Sequence, residues 1–241
     1  MIDFCNYQWN ASMEGGRIIH KDMPWMWYDC EAVYVRSDMA ELNAYKDPTT
    51  VTYEGKTYRP TVACGVMRSV DTFGYGTFSA KIQMPKGKNL WPCFWLVGSG
   101  EKWPKGGEID IVEAWTNRFG GYFKFCIPSW NTTTNIHWNS DYQEYWDYDG
   151  HKSCGSRRLP LMFSMKRPEH NFVKYEVEWR QDIITFRVNE KRVRTYGYDV
   201  AKHLHDKRMH VIFDLWTTGE DFTCDTPMKI RNFEYKPIEA L

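Results

Sequence analysis

The sequence has no long apolar run, no excess of charge of either sign and no closely spaced cysteine pair. No stretch approaches the roughly 20 apolar residues that a membrane-spanning helix needs. The 31 basic residues balance the 31 acidic ones, so no overall field attracts nucleic acid or an anionic surface. We therefore expect neither a membrane span nor a nucleic-acid partner.

Cysteine usage and the lack of repeats bound the organisation of the chain. The seven cysteines are widely spread, and without a Cys-x-x-Cys pair the common zinc and redox motifs are excluded. An odd number leaves at least one thiol unpaired in a monomer, and we expect mostly free cysteines. Neither an internal repeat nor a low-complexity linker interrupts the chain, so we predict a single domain over residues 1–241, acting as a monomer.

Strand-like runs of β-branched and aromatic residues recur, separated by turn residues, and aromatic residues make up 17% of the chain. This rhythm predicts an all-β sandwich or barrel. Long helix-period stretches are missing, although residues 200–207 could form a short helix. The segment 127–160 is rich in Asn, Thr, Asp and Trp, and we expect a loop that edges a cleft. Its candidates for ligand contact or packing are Trp138, Tyr142, Tyr145 and Trp146.

Three acids fall within six residues of an otherwise apolar segment, 108–113, which reads EIDIVE. Side chains alternate along a strand, so Glu108 and Asp110 share one face, whereas strict alternation would bury Glu113 in the core. One extra residue at positions 111–112, a β-bulge, removes this conflict. We therefore predict a bulged strand with all three acids, and then Trp115, on one open face.

Paired carboxylates on one face suit a retaining glycosidase, which needs an ionised nucleophile and a protonated acid roughly 5–5.5 Å apart. A middle acid can orient the nucleophile and help to keep the proton on its partner, because like charges raise one pKa. We assign Glu108 as nucleophile, Asp110 as the coupled orienting acid and Glu113 as acid/base. Spacing alone leaves the two glutamate roles interchangeable, and the alternative for all three is the solvated face of an amphipathic strand.

Aromatic residues accompany the acids. Trp91 and Trp95 fall on one face of the strand-like run 90–97, as Trp115 does on the next strand. Flat rings beside paired acids suit the apolar faces of sugar rings. Core packing is the alternative for each ring taken singly, but together they favour a substrate cleft.

Several segments match the pattern of one enzyme family. The residues 74–82 (GYGTFSAKI), 90–96 (LWPCFWL) and 106–113 (GGEIDIVE), with the downstream runs 173–179, 183–189 and 228–235, resemble glycoside hydrolase family 16. The likeness extends from about Gly65 to the C-terminus. The ExDxxE spacing with a bulge is typical of the laminarinase, agarase, porphyranase and carrageenase branches.

The resemblance implies a concanavalin-like β-jelly-roll sandwich with a concave cleft, and a retaining endo-hydrolase of β-linked polysaccharides. It matches Glu108 to the nucleophile, Asp110 to the assisting acid and Glu113 to the acid/base. His137 falls where related enzymes often place a cleft histidine, with an ordinary loop histidine as the alternative. Arg68, and Arg157 and Arg158 near the end of the long loop, would suit a sulfated or carboxylated substrate, or are simply solvated.

The chain also departs from the family pattern. A frequent Glu-Ala-Arg is replaced by residues 79–81 (SAK), and an arginine of laminarinases by Val66, with Arg68 nearby. Both departures weaken a laminarinase assignment. Arg231 stands where related chains have an acid tied to a structural calcium. We therefore expect no metal or other cofactor, with a structural calcium as an alternative that Arg231 disfavours.

The leading interpretation is a retaining endo-β-glycanase that hydrolyses a β-1,3-glucan or an agar-, porphyran- or carrageenan-type galactan. The alternatives are a non-catalytic glycan-binding jelly-roll protein and a transglycosylase. Family members that digest polysaccharides are usually secreted, periplasmic or on the cell surface, and we expect the same here, although the first six residues show no signal peptide.

Overall fold

The computed structural model describes residues 1–20, 23–116, 123–124, 127–130, 132–139, 151–153, 157–158 and 168–239. Two antiparallel sheets dominate these residues. The front sheet has the order β1-β2-β10-β23-β13-β14-β17-β18, with β19 also paired to β17. Its strands are β1 (Ile2–Phe4), β2 (Tyr7–Asn10), β10 (Val66–Ser69), β13 (Leu90–Gly98), β14 (Glu108–Ala114), β17 (Thr132–Asn139), β18 (His151–Ser153), β19 (Arg157–Arg158) and β23 (Met209–Thr217).

The back sheet has the order β22-β21-β20-β11-β25-β5-β4. Its strands are β4 (Val33–Arg36), β5 (Met39–Leu42), β11 (Gly76–Gln83), β20 (Val173–Trp179), β21 (Ile184–Val188), β22 (Lys191–Tyr196) and β25 (Met228–Pro237). Small sheets join β3 (Met26–Tyr28), β9 (Val62–Cys64) and β6 (Ala44–Lys46); β7 (Val51–Tyr53) and β8 (Lys56–Tyr58); β12 (Lys86–Lys88) and β24 (Thr223–Thr226); and β15 (Phe123–Lys124) and β16 (Ile127–Trp130).

The hydrophobic core lies between the front and back sheets. In the front sheet, Phe94 and Phe213 stack with their ring centroids 4.4 Å apart, and Phe233 of the back sheet meets Phe213 edge-on at 5.8 Å. Strand β20 alternates strictly between buried and partly exposed positions, as expected where one face of a sheet meets solvent. Strand β23 is buried at all nine positions, so its second face is covered as well.

The all-β sandwich prediction is confirmed by this architecture. Among the described residues, helix is limited to α1 (Tyr198–Ala201) and three 3₁₀ turns, Glu14–Gly16, Cys30–Ala32 and Lys202–Leu204. The short helix expected at 200–207 therefore begins two residues earlier. Within the described part of the chain, no helix could cross a membrane. The described cysteines are all free thiols: Cys5, Cys30, Cys64, Cys93 and Cys224.

The prediction that segment 127–160 is a loop is wrong where the structure describes it. Four strands, β16 to β19, fall in this segment. In β17 every second side chain, at Thr133, Asn135 and His137, is polar because it faces other polar groups across the front sheet. The Asn, Thr, Asp and Trp content of this segment predicts a loop at the edge of a cleft, although threonine itself favours strands.

Glycine is required just before the acid segment. Gly107 has φ +80°, and a Cβ there would lie 2.4 Å from Leu204 Cδ2. Gly107 also holds the turn into β14, donating to Pro104 O and accepting from Gly98 N. Gly100 has a similar φ of +78° but nothing within 4 Å of an added Cβ.

We predict that Gly107→Ala destabilises the protein more than Gly100→Ala. Both changes put alanine in left-handed backbone, at a cost of about 1 kcal/mol, and only the first adds a clash with the core. Urea denaturation should give an extra loss of about 1–2 kcal/mol for Gly107→Ala. Equal losses in the two variants would show that contact with Leu204 adds no cost to an alanine at position 107.

Candidate active site

Strand β14 carries one residue more than its neighbours. Opposite it on β17, Asp110 pairs with Asn135 and Glu113 pairs with Thr133, so residues 111–112 face a single residue of the partner. The register with β13 shifts at the same point. The predicted β-bulge is therefore confirmed.

The bulge separates aliphatic from acidic side chains. Ile111 and Val112 are 2% and 0% exposed and belong to the core, whereas Glu108 and Glu113 are partly exposed. Asp110 lies between the two glutamates and is 4% exposed. The fold thus brings the three predicted acids to one face of the front sheet.

The strand register arranges the residues of this face in rows that cross the sheet. Each acid lies between a residue of β13 on one side and a residue of β17 on the other. From β23 to β17 the rows read His210-Val97-Glu108-His137, Ile212-Trp95-Asp110-Asn135 and Asp214-Cys93-Glu113-Thr133. The rows show which neighbours act on each carboxyl group.

His137 lies beside two of the acids, as the resemblance implied. Its Nε2 atom is 3.1 Å from Asp110 Oδ2 and 3.6 Å from Glu108 Oε1. Asn135 Nδ2 lies 2.9 Å from the same ring nitrogen. A proton on this imidazole would sit where it stabilises negative charge on Glu108 and Asp110.

Burial and crowding raise the pKa values of the two glutamates. Burial, and then the charges of Asp110 and Glu113, hold the pKa of Glu108 well above its usual range. Burial, and then the charge of Asp110, raise the pKa of Glu113 to about 8. Glu113 therefore retains a proton at neutral pH, as a general acid requires.

Two of the predicted tryptophans line the cleft next to Glu113. The rings of Trp91 and Trp115 lie 5.6 Å apart at 32°, and both are partly exposed. Trp216 meets Trp91 edge-on at 5.1 Å. Trp95 is 8% exposed and forms part of the floor, where its Nε1 donates to Asp214 Oδ2 at 2.9 Å.

The structure does not bring every predicted residue to the acids. Trp138 points away from His137 because neighbours in a strand alternate, and it stacks on His203 with centroids 5.0 Å apart. Arg68 lies on the same face of the front sheet as Asp110, but three strands away, and its Nη1 donates to His210 Nε2 at 3.0 Å. Outside the described side chains lie Tyr142, Tyr145, Trp146, Arg157 and Arg158.

The sequence analysis missed other residues of the site. Trp103 is 44% exposed, hydrogen-bonds Glu108 and lies 6.2 Å from the His137 ring. Thr133 and Asn135 lie in the run 132–135, which is polar at every position and so gives no period-two signal. Asp214 is the only acid in β23, a signal that was present but not used. Nothing in the local sequence marks Trp103.

Oxygen and nitrogen atoms of Glu108, Asp110 and His137 lie within 4.8 Å of one another. This grouping is the carboxylate site itself, where burial and then the charges of the neighbouring acids raise the pKa of Glu108. At the position linked to a structural calcium, the Arg231 guanidinium covers the Phe172 ring at 3.9 Å. The absence of a cofactor remains a prediction.

Comparison with known proteins decides the family. The model of Glycosyl hydrolases family 16 matches residues 19–233, most of the chain. This chain belongs to glycoside hydrolase family 16. The fold is similar to that of porphyranase B from Zobellia galactanivorans, whose structure superposes with a TM-score of 0.67 at 17% identity, covering 95% of this chain and 85% of that one.

Two curated relatives are more similar in sequence. A glucan endo-1,3-beta-glucosidase of Cryptopygus antarcticus is 26% identical over 160 residues, covering 61% of this chain and 52% of its own length. A beta-1,3-glucan-binding protein of Penaeus monodon is 24% identical over 160 residues, covering 64% and 40%. The alignments thus span about half or less of the length of these relatives.

We predict that Glu113→Gln weakens the dependence of stability on pH. Because the folded-state pKa of about 8 exceeds the ordinary value of 4.5, the native state binds more protons between these pH values, and stability falls as pH rises through this window. The substitution removes this contribution. Urea denaturation at pH 5 and pH 8 should show the difference shrinking by on the order of 1–3 kcal/mol.

Glu178→Gln is the matched control for this measurement. Arg180 holds the pKa of Glu178 below its usual range, so this group stays ionised from pH 5 to pH 8. Its substitution should shift stability equally at both pH values. A Glu113→Gln protein with the same pH dependence as the unmodified protein would contradict the assigned protonation.

Proposed function

We propose that this protein is a retaining endo-β-glycanase that hydrolyses a β-linked polysaccharide through a covalent glycosyl-enzyme intermediate. The observation that carries the proposal is the bulge in β14, which turns Glu113 to the face that holds Glu108 and Asp110. Two glutamates flanking a shared acid, beside exposed tryptophan rings, supply the groups that double displacement at an anomeric carbon needs.

The surroundings of the two glutamates support distinct roles. Glu108 accepts a hydrogen bond from Trp103, which favours the ionised form of a nucleophile, and His137 Nε2 lies 3.6 Å away. At Glu113, burial and then the charge of Asp110 outweigh the neutral donors Trp91 and Thr133, so its protonated form persists. We therefore assign Glu108 as nucleophile and Glu113 as general acid.

In the first step, a Glu108 carboxylate oxygen attacks the anomeric carbon while the bond from that carbon to the glycosidic oxygen breaks. Glu113 donates its proton to the departing oxygen. Asp110, next to Glu108, orients the nucleophile, and its charge resists loss of the proton from Glu113. The product is a glycosyl ester on Glu108 and a Glu113 carboxylate.

In the second step, water replaces the departed sugar. Glu113, now ionised, takes a proton from the water as its oxygen attacks the anomeric carbon, and the bond to Glu108 breaks. Both acids return to their starting protonation states. Two inversions at one carbon leave its configuration retained.

The aromatic face supports a polysaccharide substrate. Trp91 and Trp115 offer partly exposed ring surface next to Glu113, which suits the apolar face of a sugar. The named activity of the Cryptopygus relative supports a β-1,3-glucan, and that of the Zobellia structure a porphyran-type galactan. We propose one of these classes, met outside the cytoplasm, where polymers of this size are available.

The Penaeus relative is named for glucan binding, so a non-catalytic glycan-binding role is the second candidate. Binding alone does not require crowded acids with raised pKa values, and this favours hydrolysis. A transglycosylase would share the first step and pass the sugar to another sugar. Product analysis on laminarin, mixed-linkage glucan, agarose, porphyran, carrageenan and mucin glycans would separate these functions.

We predict that Glu108→Gln removes nearly all turnover, by a factor of about 10⁴ or more, because an amide cannot form the glycosyl ester. Binding of oligosaccharides from the cleaved polymer, measured by calorimetry, should persist. NMR of the first products of the unmodified enzyme should show the β-anomer.

Glu41→Gln, the same change on strand β5 of the back sheet, is the control and should keep normal turnover. A Glu108→Gln enzyme with the unmodified rate would refute the nucleophile assignment. Inverted first products would exclude the covalent intermediate.

We predict that Glu113→Gln slows natural polysaccharides far more than activated aryl glycosides, by about 10²-fold or more in relative rate. Aryloxide leaving groups depart without protonation, whereas a sugar alkoxide needs the proton from Glu113. Comparing kcat/KM for both substrate types in the variant and the unmodified enzyme measures this. Equal losses of kcat/KM on both substrate types would contradict the general-acid assignment.

A further inference from the structure

Asp214 is a fourth carboxyl group beneath the three acids. Its side chain is 0% exposed, in a strand whose nine residues are all buried. One oxygen, Oδ2, accepts the Trp95 indole hydrogen at 2.9 Å. The other, Oδ1, is buried, and the Cys93 thiol is the neighbouring side chain that hydrogen-bonds the carboxyl group.

In the strand register, Asp214 lies in the same row across the front sheet as Glu113. Cys93 of β13 pairs with Asp214 on one side and with Glu113 on the other. Residues that are direct partners across antiparallel strands share a face, so both carboxyls project from the cleft side. Two interstrand spacings place their backbones about 10 Å apart.

No cation is among the groups that act on Asp214 in the described structure. Burial comes first and raises the pKa of Asp214 to about 8, and the charge of Asp110 adds to it. Asp214 in turn acts on Glu113. The titratable groups around it are Asp110 and Glu113 from β14, Cys93 from β13, Cys64 from β9 and Tyr28 from β3.

We propose that Asp214 is a positioning residue for the reaction: it fixes the Trp95 ring beside the acids, and in its ionised form, reached in the alkaline range, it helps to hold the catalytic proton on Glu113. The inference rests on the proposed function, since it assumes that Glu113 is the general acid. Asp214 touches no reacting atom in this scheme and acts through Trp95 and through its field.

The sign of the effect follows from Coulomb's law. A negative Asp214 opposes a negative Glu113, so removing the Asp214 charge lowers the pKa of Glu113. Glu113 is active as an acid only while protonated. The alkaline limb of the pH–rate profile should therefore move to lower pH when Asp214 is neutralised, by up to about one unit for charges about 10 Å apart.

Asp214→Asn is the test because it keeps the shape of the side chain and the oxygen that accepts from Trp95. In kcat/KM profiles from pH 5 to pH 10, its alkaline limb should lie at lower pH than that of the unmodified enzyme. Asp29→Asn is the control: Asp29 is also buried, at 8% exposure, but its oxygens accept from Glu31 N and Tyr45 Oη. The alkaline limb of the Asp29→Asn profile should stay at the same pH as that of the unmodified enzyme.

Infrared titration of the substrate-free protein makes the test independent of activity. The unmodified protein should show one more protonated-carboxyl band at pH 6 than Asp214→Asn, and the variant's Glu113 band, identified by its loss in Glu113→Gln, should titrate at lower pH. An unmoved limb and an unmoved Glu113 titration would overturn the proposal for Asp214. A shifted titration in a protein that cleaves no glycan would uphold it and refute the proposed function instead.

Discussion

The single extra residue in β14 is the constraint on which the site depends. Without it, the face that holds Glu108 and Asp110 would hold Val112, and Glu113 would point into the core. A buried, unpaired carboxylate costs several kcal/mol, and exposing one large aliphatic side chain forfeits about 1.5–3 kcal/mol. The core between the two sheets therefore fixes the bulge, and the bulge fixes the acids. Folding energy and catalytic geometry are set by the same two residues, Ile111 and Val112.

The front sheet is unusual in being covered on both faces at its centre. Strand β23 is buried throughout, with aromatic packing on one side and the polar cleft floor on the other. Charges in such a floor are weakly screened, so small changes in their number have large effects on their neighbours. In the described structure no lysine or arginine forms an ion pair with the three acids, and His137 is the group that can balance them.

The features that could be predicted from the sequence are those decided by the alternation of side chains along a strand. The bulge followed from the parity of six residues, and the sheets from the recurring strand pattern and the family resemblance. The contacts of Trp95 and Trp138 could not be predicted, because they depend on which partner, Asp214 or His203, the fold places beside each ring. Polar β17 was misread because a strand facing a polar cleft lacks the apolar half of the usual pattern. Trp103 reaches Glu108 only through the turn before β14.

The energetic cost of the crowded acids bears on whether the protein hydrolyses glycans or only binds them. Among the described residues, no cationic side chain of fixed charge pairs with Glu108, Asp110, Glu113 or Asp214. The raised pKa values of Glu108, Glu113 and Asp214 each record a penalty on the folded state near neutral pH. Amide side chains of nearly the same shape would hydrogen-bond sugar hydroxyls without that penalty. A protein that only bound glycans would therefore gain stability by exchanging its acids for amides. The crowding makes physical sense where a proton must be held near neutral pH and released to a leaving oxygen, which is the work of a glycosidase.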